Sequence, residues 1–448
     1  MTKQAAGNDR PAHSNSYAWY ATIILTIAFT LSYIDRQILG VMVEPIRRDL
    51  GLTDTEFSLL QGAAFAITFT IFTVPAGWLT DRMSRSNLMS GGIFVWSIMT
   101  ALSGLAQNFL QLFGARAAVG MGEAVITPAA NSILADYFPR DKLATPIAFF
   151  AASPFIGVGL AFMLGGPLVQ YLEGKPPIDV AVVGQIYSWQ MVFFIVGLPG
   201  ILVALLVFLL REPTRKGLMA SEKTGIAKVP TSEIFKFLRV RKKFFLLLLL
   251  GFSGLSIQGY ALFAWVTSFF VRVHDVSRAD ATLTYGAIAL VVGVAGSIFG
   301  GFRASQLMQQ GRADATLRLV MYSAIVVTPL AVALGLAPHA WIAFVLLVPI
   351  TFCMAMPPGL VYTALQVITP NELRGQVLAS YLLITNFVSF LLAPLVIALL
   401  TEKLYQDDAA VGLSLSTLAA ITYPTAAICM AFALKHFREA YKKAETWS

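Results

Sequence analysis

The chain has 448 residues, of which 57% are hydrophobic and only 12% charged, about half the charge fraction of an ordinary soluble domain. That balance excludes one large water-soluble core, because apolar runs of roughly 20 residues, enough to cross a bilayer, recur from Tyr17 to Leu434. The formal charge of +8 does not indicate a nucleic-acid partner, since the basic residues are distributed as membrane topology would place them.

Residues 1–17 are polar and read as a cytoplasmic N-terminal tail. The following apolar run continues through Asp35 and Arg36 with no small-residue cleavage site, so a removable signal peptide is not expected. Polar breaks predict spans at 18–43, 57–79, 87–106, 108–135, 143–171 and 190–211, an N-terminal six-helix bundle over 18–211. Residues 212–242 read as a basic cytoplasmic linker, the stretch from Arg211 to Lys243 carrying ten Lys or Arg against three Glu. Six more spans follow at 243–272, 280–303, 315–337, 340–367, 376–401 and 413–435, a C-terminal bundle over 243–435, and 436–448 form a cytoplasmic tail. The runs are too long and too uniformly apolar for barrel strands, so the fold class is an all-α membrane protein of twelve transmembrane helices in two pseudo-symmetric bundles. With both termini cytoplasmic, 24 of the 32 Lys and Arg fall on that side, six fall outside, and Arg36 and Arg116 lie within spans. This is the positive-inside bias.

The duplication leaves faint echoes. Pro139-Arg140-Asp141-Lys142-Leu143-Ala144 after span 4 matches Pro370-Asn371-Glu372-Leu373-Arg374-Gly375 after span 10, and Gly77 through Arg85 has a degraded copy in Gly301 through Arg312. Cys353 and Cys429 sit inside apolar runs and behave as small hydrophobic residues.

Four ionisable side chains fall well inside predicted spans: Asp35, Arg36, Arg116 and Glu123. Each Asp or Arg at mid-helix costs about 2.5 to 3.5 kcal/mol to insert, so these groups are expected to face a wet cavity or one another. Arg116 and Glu123 are seven residues apart on nearly one helix face, with Gly120 between them opening room for a neighbour. Arg116 holding Asp35 or Glu123 as a static fold-building pair is one reading. In the other, Asp35 and Glu123 change protonation during transport while Arg36 or Arg116 meets an anionic substrate. Low dielectric favours a neutral carboxyl group and a nearby guanidinium a charged one, so an anion that occupies the arginine couples binding to protonation. A proton moving through 100 mV supplies about 2.3 kcal/mol, roughly a fiftyfold concentration ratio. The second half offers no comparable charge at mid-span, only Gln258, Tyr260, Trp265, Tyr362, Gln366 and Asn386 among aliphatic residues. Tyr362 and Gln366, one turn apart, are the favoured binding candidates there. Arginines on one side and an aromatic, aliphatic wall on the other suit an anionic amphiphile. The four histidines are scattered, and neither a metal-binding cluster nor a phosphate-cradling glycine loop is present, so no metal, no cofactor and no enzyme activity are expected.

Gly77-Trp-Leu-Thr-Asp81-Arg82-Met-Ser84-Arg85 resembles the loop between helices 2 and 3 of the major facilitator superfamily, and Arg116 through Gly122 resembles its helix 4 motif. The resemblance implies that Gly77, Asp81, Arg82 and Arg85 form a conformational latch, with Asp81 near the amino end of helix 11. Ser84 and Ser86 depart from that loop, and Ser305 stands where its repeat would carry an aspartate. Ser32-Tyr-Ile-Asp35-Arg36-Gln37-Ile-Leu-Gly40, running on through Glu44 to Leu52, is similar to bacterial Spinster homologues. That family is associated with lysophospholipids and sphingosine-1-phosphate. The resemblance implies proton coupling at Asp35 and Glu123, head-group recognition at Arg36 and Arg116, and a monomer among lipids in a bacterial inner membrane. The same Asp-Arg pair occurs in organic-anion and sugar-acid symporters, so a small organic anion remains the second cargo class.

Overall fold

The computed structural model describes residues 15–444 other than 139–145, 147–148, 151, 174, 176–177, 181–183 and 215–230. The segment 139–144 of the first repeat echo lies outside the described residues, as does most of the predicted linker. Eleven helices among the described residues are long and apolar enough to cross a membrane. They are α1 (Asn15–Val41), α2 (Asp54–Thr80), α4 (Phe109–Tyr137), α5 (Ser153–Glu173), α6 (Ser188–Phe208), α7 (Lys242–His274), α8 (Arg278–Gln309), α9 (Ala315–Gly335), α10 (Ala340–Val367), α11 (Gln376–Tyr405) and α12 (Asp408–Lys443). The twelfth, α3 (Arg85–Ser103), occupies the place of the third predicted span. Its serines, asparagine and paired glycines dilute its hydropathy, and they are tolerated because Ser86, Ser90, Ser97, Thr100 and Ser103 are buried against protein.

Local chemistry sets several helix ends. Gly51, at φ 65°, closes the short helix Val43–Leu50 in the left-handed region that glycine adopts without strain. Thr53 then starts α2 with a reciprocal cap, its hydroxyl accepting from the Glu56 backbone N–H at 3.1 Å while Glu56 accepts from the Thr53 N–H at 2.9 Å. An antiparallel hairpin, β1 (Ile178–Val180) and β2 (Gly184–Ile186), joins α5 to α6 and marks one end of the molecule, the hairpin end. At the opposite, linker end, the helix Thr231–Val240 buries Phe237 with Leu373 and Val377.

The packing repeats between the halves. In the first, α1 packs on α5 and α6, α3 on α6, and α2 on α4; in the second, α7 packs on α11 and α12, α9 on α12, and α8 on α10. The halves meet where α5 crosses α8, α2 crosses α11, and α1 crosses α7. Small residues allow the approach: a Cβ on Gly159 would stand 2.7 Å from Leu290 Cβ, and one on Gly62 would stand 2.5 Å from the Phe390 carbonyl oxygen.

Polar bonds between the halves gather at the hairpin end. Arg272 of α7 donates to Glu44 at 2.7 Å and to both oxygens of Asp54 at 2.8 and 2.9 Å. Arg47 lies 2.8 Å from Asp54 and 3.1 Å from Asp408, Thr55 donates to Glu402, and Arg278 pairs with Glu173 at 2.5 Å. The sequence suggested no buried charge in the second half comparable with the first. That holds at mid-span, but at the end of α7 the Arg272 side chain is only 8% exposed, enclosed by acidic partners from the other half.

Candidate functional site

Asp35 and Arg36 are adjacent on α1, so they point about 100° apart around a helix of 3.6 residues per turn and take different partners. Asp35 turns toward α3 and α4, accepting from Thr100 Oγ1 at 2.9 Å and from Arg116 Nη1 at 2.9 Å. Arg36 reaches α4 about two turns farther along and donates through Nε to Glu123 at 2.6 Å, and Ser32, one turn earlier on α1, donates to the same oxygen at 2.7 Å. Both sequence candidates on α4 are thus engaged by α1, but in two separate pairs, Asp35 with Arg116 and Arg36 with Glu123. Asp35, Arg116 and Glu123 are all buried. Such desolvated pairs are held by geometry and by the cost of leaving one member alone.

Aromatic rings enclose the Arg36 guanidinium. Its carbon lies 4.8, 4.5 and 5.0 Å from the ring centres of Tyr33, Phe65 and Phe69, and 5.8 Å from Phe390 of α11. Ring faces attract a desolvated cation, so the cage supplements Glu123 in compensating its charge. Phe390 belongs to the other half, which makes this charge centre part of the contact between the halves. Ser32 and Tyr33 open the Spinster-like stretch, but the sequence assigned no role to them, to Thr100 or to the phenylalanines, because such residues in an apolar run carry no individual signal.

Two chambers adjoin this centre. A cavity of about 260 Å³ is walled mainly by apolar and aromatic residues of both halves, among them Phe155, Leu255, Phe263 and Met354, with Tyr33, Ser256, Tyr260, Thr351, Tyr362 and Asn386 as its polar lining. A smaller chamber of about 40 Å³ is lined by Arg36, Gln37, Gln61, Phe65, Arg116, Tyr260, Ala264, Phe390 and Pro394. Tyr260 belongs to both. Tyr362 therefore lines the larger cavity, as its position suggested, whereas Gln366 is exposed and lines neither chamber. Gln258 is turned away to the α12 backbone, donating to the Leu415 carbonyl at 3.4 Å, and Trp265 donates to the Pro394 carbonyl at 3.1 Å.

The loop residues expected to form a latch join α2 to α3. Arg85 ties α3 to its own half, donating to Glu212 at 3.0 Å, to Ser132 at 2.9 Å and to the Pro213 carbonyl at 2.9 Å, and pairing with Asp136. Partial desolvation opposes ionisation of Glu212, yet hydrogen bonds from Ser84 and Arg85 outweigh it and hold its carboxyl below the usual range. Arg82 stacks over Trp78 at 4.0 Å, and Gly77 has open space beside it. The Asp81 side chain lies outside the described residues, as do those of Asn371 and Glu372 at the start of the helix that leads into α11.

Comparison with known proteins agrees with this architecture. The Major Facilitator Superfamily model matches residues 25–394. The crystal structure of a bacterial homologue of the human lysosomal transporter Spinster, inward-facing and unoccupied, superimposes with a TM-score of 0.78 at 26% identity, covering 96% of this chain and 99% of that one. An MFS-type efflux pump of Mycolicibacterium smegmatis is 27% identical over 437 residues, 95% of each chain. A probable L-galactonate transporter of Escherichia coli K12 is 27% identical over 308 residues, 67% of this chain and 64% of the relative. With a duplicated helical architecture, apolar spans and a family match over most of its length, the chain belongs to the major facilitator superfamily and is a multi-pass membrane transporter.

Proposed function

We propose that this transporter moves an anionic amphiphilic lipid, a lysophospholipid or sphingosine-1-phosphate-like molecule, by proton-coupled alternating access. The observation that carries the reading is the junction of two unlike chambers. One holds Arg36 and Arg116 beside paired carboxylates, and the other is a mainly apolar cavity large enough for part of an acyl chain. The likeness to a bacterial Spinster homologue over nearly the whole chain supports the Spinster resemblance from which that cargo class was expected.

In this mechanism the anionic head draws Arg36 or Arg116 from its carboxylate. Asp35 or Glu123, left buried without its counterion, takes up a proton, since an isolated charge in low dielectric is far costlier than a neutral acid. Tyr362 contributes to the wall that receives the chain, and Gln366 would meet substrate only in a conformation that closes the linker end. The bundles 18–211 and 243–435 are the two bodies that rock about the site, with the tails and the linker on the cytoplasmic side. On that orientation the Arg272 network ties the two halves together at the outer end. Gly77, Asp81, Arg82 and Arg85 engage the other half when the inner side closes. The protein acts as a monomer in a bacterial inner membrane.

The second reading, a proton-coupled symporter of a small organic anion or sugar acid, is favoured by the relative named for L-galactonate and by the small size of the arginine-lined chamber. Competition separates the two. In proteoliposomes, excess hexonate should leave labelled lysolipid flux unchanged if the lipid is the cargo, and the first reading fails if hexonate is itself accumulated while the lipid is not moved.

A further inference from the structure

Helix α2 is not regularly α-helical. Residues Leu59–Ala63 form a π-helical turn, and the equivalent helix of the second half, α8, carries one at Ala289–Gly293. A π-turn inserts one residue into the helix and re-aims the side chains beside it, and such turns are concentrated at functional sites. Both open onto the chambers. Ala289 and Gly293 line the apolar cavity, while Gln61 lines the small chamber with Arg36, Gln37 and Arg116.

Gln61 is held there by its surroundings. Ser58 Oγ donates to the Pro394 carbonyl at 3.0 Å. Pro394 has no N–H to give the Phe390 carbonyl, and Gly62 brings α2 within close reach of that oxygen. The chamber has two unsatisfied groups: Gln61 Oε1 and Arg116 Nε are buried and have no hydrogen-bond partner among the described residues. One is an acceptor and the other a donor. Buried polar groups are normally paired, and an unpaired acceptor and an unpaired donor on two side chains that line one small chamber are the complement of a ligand that presents both an anionic oxygen and a hydroxyl.

Resting on the transport reading above, we propose that Gln61 is a specificity-determining residue that binds the substrate head group together with Arg116. The anionic oxygen accepts from Arg116 Nε, and a hydroxyl of the same head group donates to Gln61 Oε1. A monoprotonated phosphate and a hydroxy acid both offer this pair within one compact group, whereas a choline-capped phosphodiester has no hydroxyl on its phosphorus, only the glycerol hydroxyl farther along the molecule. Tyr260, shared by both chambers, stands where the head joins the chain.

The test measures concentration-dependent uptake in proteoliposomes for a lysophosphatidate and a lysophosphatidylcholine of equal chain length, and for a hexonate. Wild type is compared with Gln61→Leu and Gln61→Asn, each first shown to unfold at the wild-type temperature in detergent. Loss of one buried hydrogen bond to a charged head should raise the half-saturation concentration for lysophosphatidate by about tenfold in Gln61→Leu, with the maximal rate within about twofold of wild type. Gln61→Asn should recover part of that shift. If wild type moves hexonate but no lipid, a tenfold shift for hexonate upholds the role of Gln61 while the lipid reading falls. An unchanged half-saturation concentration, or a fall in maximal rate alone, overturns the inference with the lipid reading intact. Wild-type protein that moves none of the three overturns both.

Discussion

Arg272→Ala should open the hairpin end. Arg272 makes three charged hydrogen bonds to Glu44 and Asp54 across the boundary between the halves, and its guanidinium lies 5.4 Å from the Trp265 ring. Charged hydrogen bonds contribute about 1.5 to 3 kcal/mol each in favourable cases. Their sum is not additive here, because Asp54 keeps Arg47 at 2.8 Å after the substitution. A net loss of about 3 kcal/mol is therefore expected, on the order of a hundredfold in the ratio of closed to open forms. The loss falls on the closed form, since once the halves separate Glu44 and Asp54 are hydrated whether or not Arg272 is present. Spin labels report the change. Cysteines are introduced by Arg48→Cys and Lys403→Cys, both exposed and on opposite halves at the hairpin end, in a chain carrying Cys353→Ala and Cys429→Ala. Wild type should give one short distance, and Arg272→Ala a distribution with a longer component. An unchanged distribution would refute the assignment of these bonds as the closure of that end.

Asp35→Ala leaves Arg116 buried without its counterion and should lower unfolding free energy in detergent by about 3 to 5 kcal/mol; adding Arg116→Ala should restore much of the loss, so a double variant no more stable than the single one would show that the pair is not coupled. Partial desolvation of Asp314 is outweighed by hydrogen bonds from Arg318 at 2.9 Å and Arg438 at 2.5 Å, which hold its carboxyl below the usual range. A depressed folded value means that this contribution is complete above an unfolded value of about 3.9 and is lost as pH falls through the folded one. The gap in unfolding temperature between wild type and Asp314→Asn should thus be constant from pH 7 to 5 and shrink below about pH 4; a gap that shrinks between pH 7 and 6 would assign the effect to another group.

The spans were legible because an apolar run and its polar break follow directly from the bilayer. Predicted 57–79 became Asp54–Thr80, and predicted 243–272 became Lys242–His274. The four mid-span charges were legible for the same reason, as costly exceptions in an apolar run. Their pairing was less so. Asp35 and Arg36 are neighbours in sequence, and only the rotation of α1 against α4 decides that Arg116 takes Asp35 and Arg36 takes Glu123. The hairpin-end network joins Arg272 to residues more than 200 positions earlier, beyond any spacing argument. The π-turns were invisible because Leu-Leu-Gln-Gly-Ala reads as ordinary helix, so Gln61 passed as one polar residue in an apolar run. Gln366 shares a helix face with Tyr362, yet its part of α10 is exposed and it lines neither chamber, which spacing alone does not reveal.

Uptake of a labelled anionic lysolipid into sealed proteoliposomes, with and without an imposed pH gradient, tests the central claim most directly when Asp35→Asn and Glu123→Gln are run beside wild type. The account predicts uptake that the gradient drives in wild type and that both substitutions abolish in protein shown to be folded at the assay temperature. Uptake indifferent to the gradient and to both substitutions would contradict it.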